Sequence, residues 1–161
     1  VRPGPEYDVL NAWAGDWVIQ GETTATPSAP SYKFDWTLKG ERILGGFFLQ
    51  IHSMWKIQGT IQNGLVVTGY DPTKKTCATH GFNDDGSWLV STSTFTSERT
   101  CIENGSTYSP DGEVLKWRNT WNFSADGKSL LVRMESEKDG TWRILHEAKG
   151  VRRQGRSPRD R

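Results

Sequence analysis

The residues of this 161-residue chain best suited to acid–base or metal chemistry are its three histidines, His52, His80 and His146. An imidazole titrates near neutral pH, so it can act as a general base or bind a metal or a haem iron. The histidines lie far apart in the sequence, without a His-x-His pair, and the two cysteines form no Cys-x-x-Cys pair. We therefore predict no metal site.

His146 is the best single catalytic candidate. It shares alternate positions with Trp142 and Ile144, which predicts that all three face inward on the last strand. There His146 could serve as a general base or as an axial haem ligand, and His52 is the second candidate for proton transfer. The structural alternative for His146 is a hydrogen-bonded core histidine among aromatic residues.

The eight tryptophans of the chain are unusual beside its modest apolar content. Asn119 shares alternate positions with Trp117 and Trp121. A buried primary amide must find a partner or lose about 1–3 kcal/mol, so Asn119 either bonds backbone or water, or faces a ligand. The predicted ligand-binding residues are Trp36, Trp117, Asn119, Trp121, Met134 and Trp142.

Motifs of several other functional classes are missing from the sequence. It contains neither the Gly-x-Gly-x-x-Gly of a dinucleotide site nor the Gly-x-Ser-x-Gly of a serine hydrolase. The formal net charge of +1 gives no attraction to nucleic acid or to an anionic membrane. No apolar run approaches the ~20 residues of a membrane helix. We expect a cytoplasmic protein, unless a leader preceded residue 1, with no cofactor and an oligomeric state left open.

Four Asp-Gly pairs separate runs of alternating apolar and polar residues: Asp85-Gly86, Asp111-Gly112, Asp126-Gly127 and Asp139-Gly140. Asp-Gly between such runs predicts a hairpin with a two-residue type I′ turn. Ten strands are predicted, at about 16–24, 32–39, 42–56, 64–71, 76–82, 88–96, 100–107, 114–123, 129–137 and 141–150. The connections are too short for parallel crossovers, so neighbouring strands should pair antiparallel.

One apolar and one polar face per strand predict an all-β, up-and-down antiparallel barrel in a single domain over residues 5–153. Residues 5–14 predict one short helix, and residues 154–161 predict a disordered basic tail. Cys77 and Cys101 fall on strands with one strand between them, about 9.5 Å apart at the sheet spacing. That separation exceeds the ~7 Å limit for a disulfide, so we expect free thiols.

The segment Gly15-Asp16-Trp17, just after the short helix, resembles the Gly-x-Trp signature with which lipocalins begin. Together with Gly45-Gly46-Phe47, the turn Gly69 to Lys75 and the ending Glu147 to Arg153, the chain resembles an uncharacterised bacterial family of lipocalin-like domains. The resemblance implies a calycin-type barrel with Trp17 packed across its closed end and an arginine, Arg152 or Arg153, covering it. It implies no particular activity.

Three functional hypotheses follow from the sequence. The leading one is a barrel that binds a small, largely apolar or aromatic molecule in an aromatic-lined cavity. The second is a cofactor-independent enzyme, a cyclase or isomerase, that uses His146 or His52 for proton transfer in the same cavity. The third is haem binding through His146.

Overall fold

The computed structural model describes residues 2–154, so all but the first residue of the predicted tail lies outside the described residues. Two short 3₁₀ helices span Pro5–Ala12 and Leu44–Gly46. The strands are β1 (Gly15–Thr23), β2 (Lys33–Ile43), β3 (Phe48–Ile57), β4 (Thr60–Asp71), β5 (Thr76–Asn83), β6 (Trp88–Phe95), β7 (Thr100–Tyr108), β8 (Val114–Phe123), β9 (Ser129–Lys138) and β10 (Thr141–Arg153). Among residues 2–154, no helix has the length and apolar character needed to cross a membrane.

The ten strands form one closed antiparallel barrel. Each strand pairs with its neighbours in sequence, and β1 also pairs with β10, with Trp17 opposite Arg152 and Val18 opposite Val151. Closure leaves no exposed sheet edge, and the alternating pattern sends one set of side chains into the lumen. The predicted all-β, up-and-down barrel is confirmed.

The turn types differ from the prediction. Only Asp139-Gly140 has positive φ at both residues, 52° and 74°, as a two-residue type I′ turn requires; Gln58-Gly59 has the same geometry, 48° and 80°. In the other three pairs only the glycine has positive φ, and the glycine amide of each closes a wider loop, for example Gly86 onto the Asn83 carbonyl at 3.0 Å. The prediction of type I′ turns is therefore wrong for three of the four Asp-Gly pairs.

The boundary between β2 and β3 also differs from the prediction. Residues 40 and 41, which were predicted to connect strands 32–39 and 42–56, lie inside β2, and the chain turns instead at residues 44–46, where Leu44, Gly45 and Gly46 all have positive φ. A Cβ at Gly40 would collide with the Trp13 carbonyl, so this glycine serves close packing rather than a turn. The predicted strand 42–56 is therefore wrong in its first residues, which belong to β2 and to the turn, and it agrees with β3 from Phe48 onward.

The 3₁₀ helix at Pro5–Ala12 packs over one end of the barrel, where Trp17 is buried. The Arg152 guanidinium carbon lies 4.7 Å from the centre of the Trp17 ring, and its Nη2 donates to the Asn11 and Ala12 carbonyls at 3.0 Å. Trp13 packs edge-on against Phe123 at 5.7 Å between ring centroids. The expected closed end, with Trp17 under an arginine, is confirmed, and the arginine is Arg152.

Candidate ligand-binding cavity

The lumen of the barrel holds a cavity of about 250 Å³. Five tryptophans, from the segment after the first helix and from β2, β3 and β8, form what we call the aromatic wall: Trp13, Trp36, Trp55, Trp117 and Trp121. Inward polar side chains of β4 to β8 form the polar wall: Thr68, Thr79, Ser93, Glu103 and Asn119. The cavity therefore combines aromatic surfaces with a set of hydrogen-bonding side chains.

The aromatic wall is held by ring contacts and by hydrogen bonds. Trp36 lies 5.7 Å from both Trp55 and Trp121 between ring centroids, and Phe34 stacks on Trp55 at 4.1 Å. The Trp36 indole donates to Ser53 Oγ at 2.8 Å. Because these contacts limit ring rotation, the wall presents rigid indole surfaces to the cavity.

Glu103 is the centre of the polar wall. Its Oε1 accepts a hydrogen bond from Ser91 Oγ at 2.7 Å, and its Oε2 accepts from Asn119 Nδ2 at 3.1 Å and from Trp121 Nε1 at 3.0 Å. All three partners can donate, and a carboxylate has about four lone-pair positions. One position of Glu103 is thus left for a further donor.

Two buried polar atoms of the cavity have no hydrogen-bond partner among residues 2–154: Asn119 Oδ1 and His146 Nδ1. Asn119 is only 8% exposed and His146 only 6%. The His146 ring packs against Phe34 and Trp55, with centroids 5.0 Å and 5.2 Å away, and desolvation in this setting lowers the pKa of His146 from 6.5 to about 4. His146 is therefore neutral near pH 7.

The structure brings together most of the residues singled out in the sequence. The cavity is lined by Trp36, Trp117, Asn119, Trp121, Met134 and His146. The Trp117 indole also donates to Thr107 Oγ1 at 2.9 Å.

Trp142, expected beside His146, lies on the outside of the barrel. The register between β10 and β9 shifts between Ile144 and His146, so the residues before Leu145 reverse their faces. Trp142 is 37% exposed, with the Arg118 guanidinium carbon 4.5 Å from its ring centre. The expected position of Trp142 in the cavity is thus wrong.

His52 and His80 also lie on the outer face. The inward positions around His52 in β3 belong to Ile51, Ser53 and Trp55, and His52 Nε2 lies 3.0 Å from the side-chain nitrogen of Gln50 at the surface. The expectation that His52 shares the cavity with His146 is wrong.

Glu103 is not among the site residues predicted from the sequence, although the alternation of side chains along β7 indicates that it faces inward. It alternates with Cys101 and Gly105, and Cys101 is fully buried, which places Glu103 on the inward face of β7. A carboxylate is almost never fully buried unless paired, so residue type alone argued for the outer face.

Both cysteines are free and buried, as expected from the strand order. Burial, and after it the negative charge of Glu103, raises the pKa of the Cys77 thiol to about 11 and the pKa of Cys101 still further. Thiols in this environment stay protonated and unreactive near neutral pH.

The closed antiparallel barrel, with the Gly-x-Trp strand at its closed end and Arg152 over Trp17, has a lipocalin-like fold. Among solved structures, Rv2717c from M. tuberculosis matches with a TM-score of 0.71 at 12% identity, covering 94% of this chain and 99% of that one. The S-type phycobiliprotein lyase CPES from Guillardia theta matches with a TM-score of 0.63 at 10% identity, covering 92% and 93%.

Residues 2–152 match the model of the family described as "Protein of unknown function (DUF1579)", and the chain belongs to that family. No curated protein matches the chain.

Proposed function

We propose that this protein binds a small aromatic or apolar molecule in its lumen. The observation that carries the proposal is the pair of buried, unpartnered polar atoms, Asn119 Oδ1 and His146 Nδ1, on residues that line a cavity walled by tryptophans. Leaving such atoms unpaired costs about 1–3 kcal/mol each, which a ligand or an ordered water can offset. Aromatic walls with a few converging polar groups are typical of small-molecule sites.

The cavity volume limits the size of the ligand. An apolar protein cavity of about 150 Å³ accommodates benzene, so the 250 Å³ found here corresponds to about ten non-hydrogen atoms. One substituted ring or two fused rings fit this volume. A haem macrocycle is several times larger, so the volume does not favour haem binding through His146.

The environment of His146 favours binding over catalysis by this residue. A general base works best when its pKa lies near the operating pH, whereas burial lowers the pKa of His146 to about 4. No acidic side chain hydrogen-bonds the His146 ring among residues 2–154, so no carboxylate orients it as in a catalytic triad. With His52 on the outer face, an enzyme built on these two histidines is the weaker hypothesis.

The proposal is tested by blocking the cavity. Indole, 2-naphthol and 2-phenylethanol are titrated by calorimetry into wild type, into Met134→Trp, which adds a large ring at the cavity, and into Leu131→Trp. Leu131 is on the same strand but is exposed on the outer face, so it is the matched control. We expect saturable one-to-one binding in wild type and in Leu131→Trp, and its loss in Met134→Trp. Absence of saturable binding for all three probes up to about 1 mM, or equal binding by Met134→Trp, would refute the proposal.

A further inference from the structure

We propose that the ligand is a cationic amine, with its ammonium group against Glu103 and its apolar part against the aromatic wall. The inference rests on the proposed function and adds the charge and hydrogen-bonding class of the molecule bound. Three features of the cavity carry it: a carboxylate without a cation, a buried acceptor without a hydrogen-bond partner, and indole rings nearby.

The Glu103 carboxylate has no cationic partner among residues 2–154. Its three hydrogen-bond partners, Ser91, Asn119 and Trp121, are all uncharged donors. The ion pairs of the described residues are Lys74–Asp71, Arg118–Glu135 and Arg133–Glu147, none of which includes Glu103. A partly buried negative charge with donors but no cation fits a ligand that carries a positive charge.

Glu103 also determines the orientation of the Asn119 amide. An ionised carboxylate can only accept hydrogen bonds, so the Asn119 amide must turn its NH₂ group toward Glu103. Asn119 Oδ1 is thereby directed away from Glu103 and is left as an unpaired acceptor. The two groups without a partner here, one lone-pair position of Glu103 and Asn119 Oδ1, are therefore both acceptors. Acceptors match the N–H donors of a ligand ammonium group, and they do not match a ligand carboxylate or phosphate, which has no donors.

Indole rings lie beside this pair of acceptors. Trp121 donates from Nε1 to Glu103, so the edge of its ring meets the carboxylate, and the Trp36 ring lies 5.7 Å from Trp121, so that an ammonium between the carboxylate and the aromatic wall would meet indole faces. The face of an indole is the strongest cation–π acceptor among side chains. The other titratable groups around the cavity add no positive charge: His146 is neutral near pH 7, and the thiols of Cys77 and Cys101 stay protonated.

The test compares three probes that differ in the polar group: phenethylamine, 2-phenylethanol and phenylacetate. In each probe one or two carbon atoms join the phenyl ring to the polar group. Each is titrated by calorimetry into wild type near pH 7, where phenethylamine is cationic and phenylacetate anionic. We expect phenethylamine to bind at least about tenfold more tightly than 2-phenylethanol, and phenylacetate to bind most weakly. Repetition at about 0.5 M salt should preserve the order, since salt screens exposed charges far more than buried ones.

Two variants locate the charge that selects the amine. Glu103→Gln should reduce the preference for phenethylamine over 2-phenylethanol to less than about threefold. Glu147→Gln changes the net charge equally but on the exposed outer face, so it should leave the preference unchanged. If Glu103→Gln does not fold, as judged by circular dichroism, the ranking of the three probes by wild type still decides the inference.

The outcomes separate this inference from the proposed function. If 2-phenylethanol or phenylacetate binds wild type as tightly as phenethylamine or more tightly, the inference of a cationic ligand is overturned. The proposed function still stands in that case if Met134→Trp abolishes the binding of these probes. An undiminished preference in a folded Glu103→Gln also overturns the inference. Failure of every probe to bind wild type, including indole and 2-naphthol, overturns the proposed function and this inference together.

Discussion

Protonation of His146 should destabilise the fold. Burial against Phe34 and Trp55 lowers its pKa from 6.5 to about 4. Because the folded-state pKa lies below the unfolded value, the unfolded state binds the proton more tightly, so this stability is present above about pH 6.5 and is lost as the pH falls toward 4. Linkage with these two values gives a loss of about 2 kcal/mol between about pH 7 and about pH 5.

Urea unfolding at several pH values between about 7 and about 5 measures this loss. The free energy of unfolding of His146→Gln should fall less steeply with pH than that of wild type, by the same ~2 kcal/mol over the range. His52→Gln and His80→Gln are matched controls because both rings lie on the exposed outer face, and both should keep the wild-type slope. Equal slopes for wild type and His146→Gln would refute the reasoning.

Two further predictions concern the packing. Trp17→Ala should lower the melting temperature by roughly 10–15 °C, because truncating a buried tryptophan costs about 3–5 kcal/mol. Trp142 is much more exposed, so Trp142→Ala should cost less than half as much, and equal shifts of the two variants in a thermal melt would contradict the position of Trp17 at the closed end. Cys77 and Cys101 should not react with a thiol reagent at about pH 8 while folded, and both should react on unfolding without reductant; rapid labelling of the native protein would show that they are not buried.

Most of the fold could be predicted because side-chain alternation and short connections leave few choices. The runs around β5 to β9 are bounded by turn residues, and their predicted limits agree with the structure to within a residue or two. The errors fall where a glycine has two possible roles. Gly40 gives space to the Trp13 carbonyl, whereas Gly45 and Gly46 supply positive φ, and only the packing of the first helix distinguishes these roles.

The candidate site was less predictable for two physical reasons. The irregularity at Leu145 reverses the faces of the residues before it, and no local sequence signal marks this bulge, so Trp142 was assigned to the wrong face. Glu103 breaks the rule that charged side chains face solvent, and such breaks are expected at functional sites. The alternation of β8, in contrast, is unbroken, so Trp117, Asn119 and Trp121 were assigned correctly to the inward face.

Three destabilising features coincide in the lumen: open volume, two unpartnered polar atoms and a carboxylate without a cation. The packed core shows that the barrel can be filled, since Leu10, Ile19 and Leu49 in it have no exposed surface. Apolar side chains in place of the polar wall would remove the unpaired Asn119 oxygen and the Glu103 charge and would fill part of the volume, which argues that the lumen is kept open for a ligand. A ligand that binds only the folded state, at about 100 times its dissociation constant, adds about 2.7 kcal/mol to the free energy of unfolding. The same occupant would therefore offset the costs of the open lumen, and its binding would be measurable as a gain in stability.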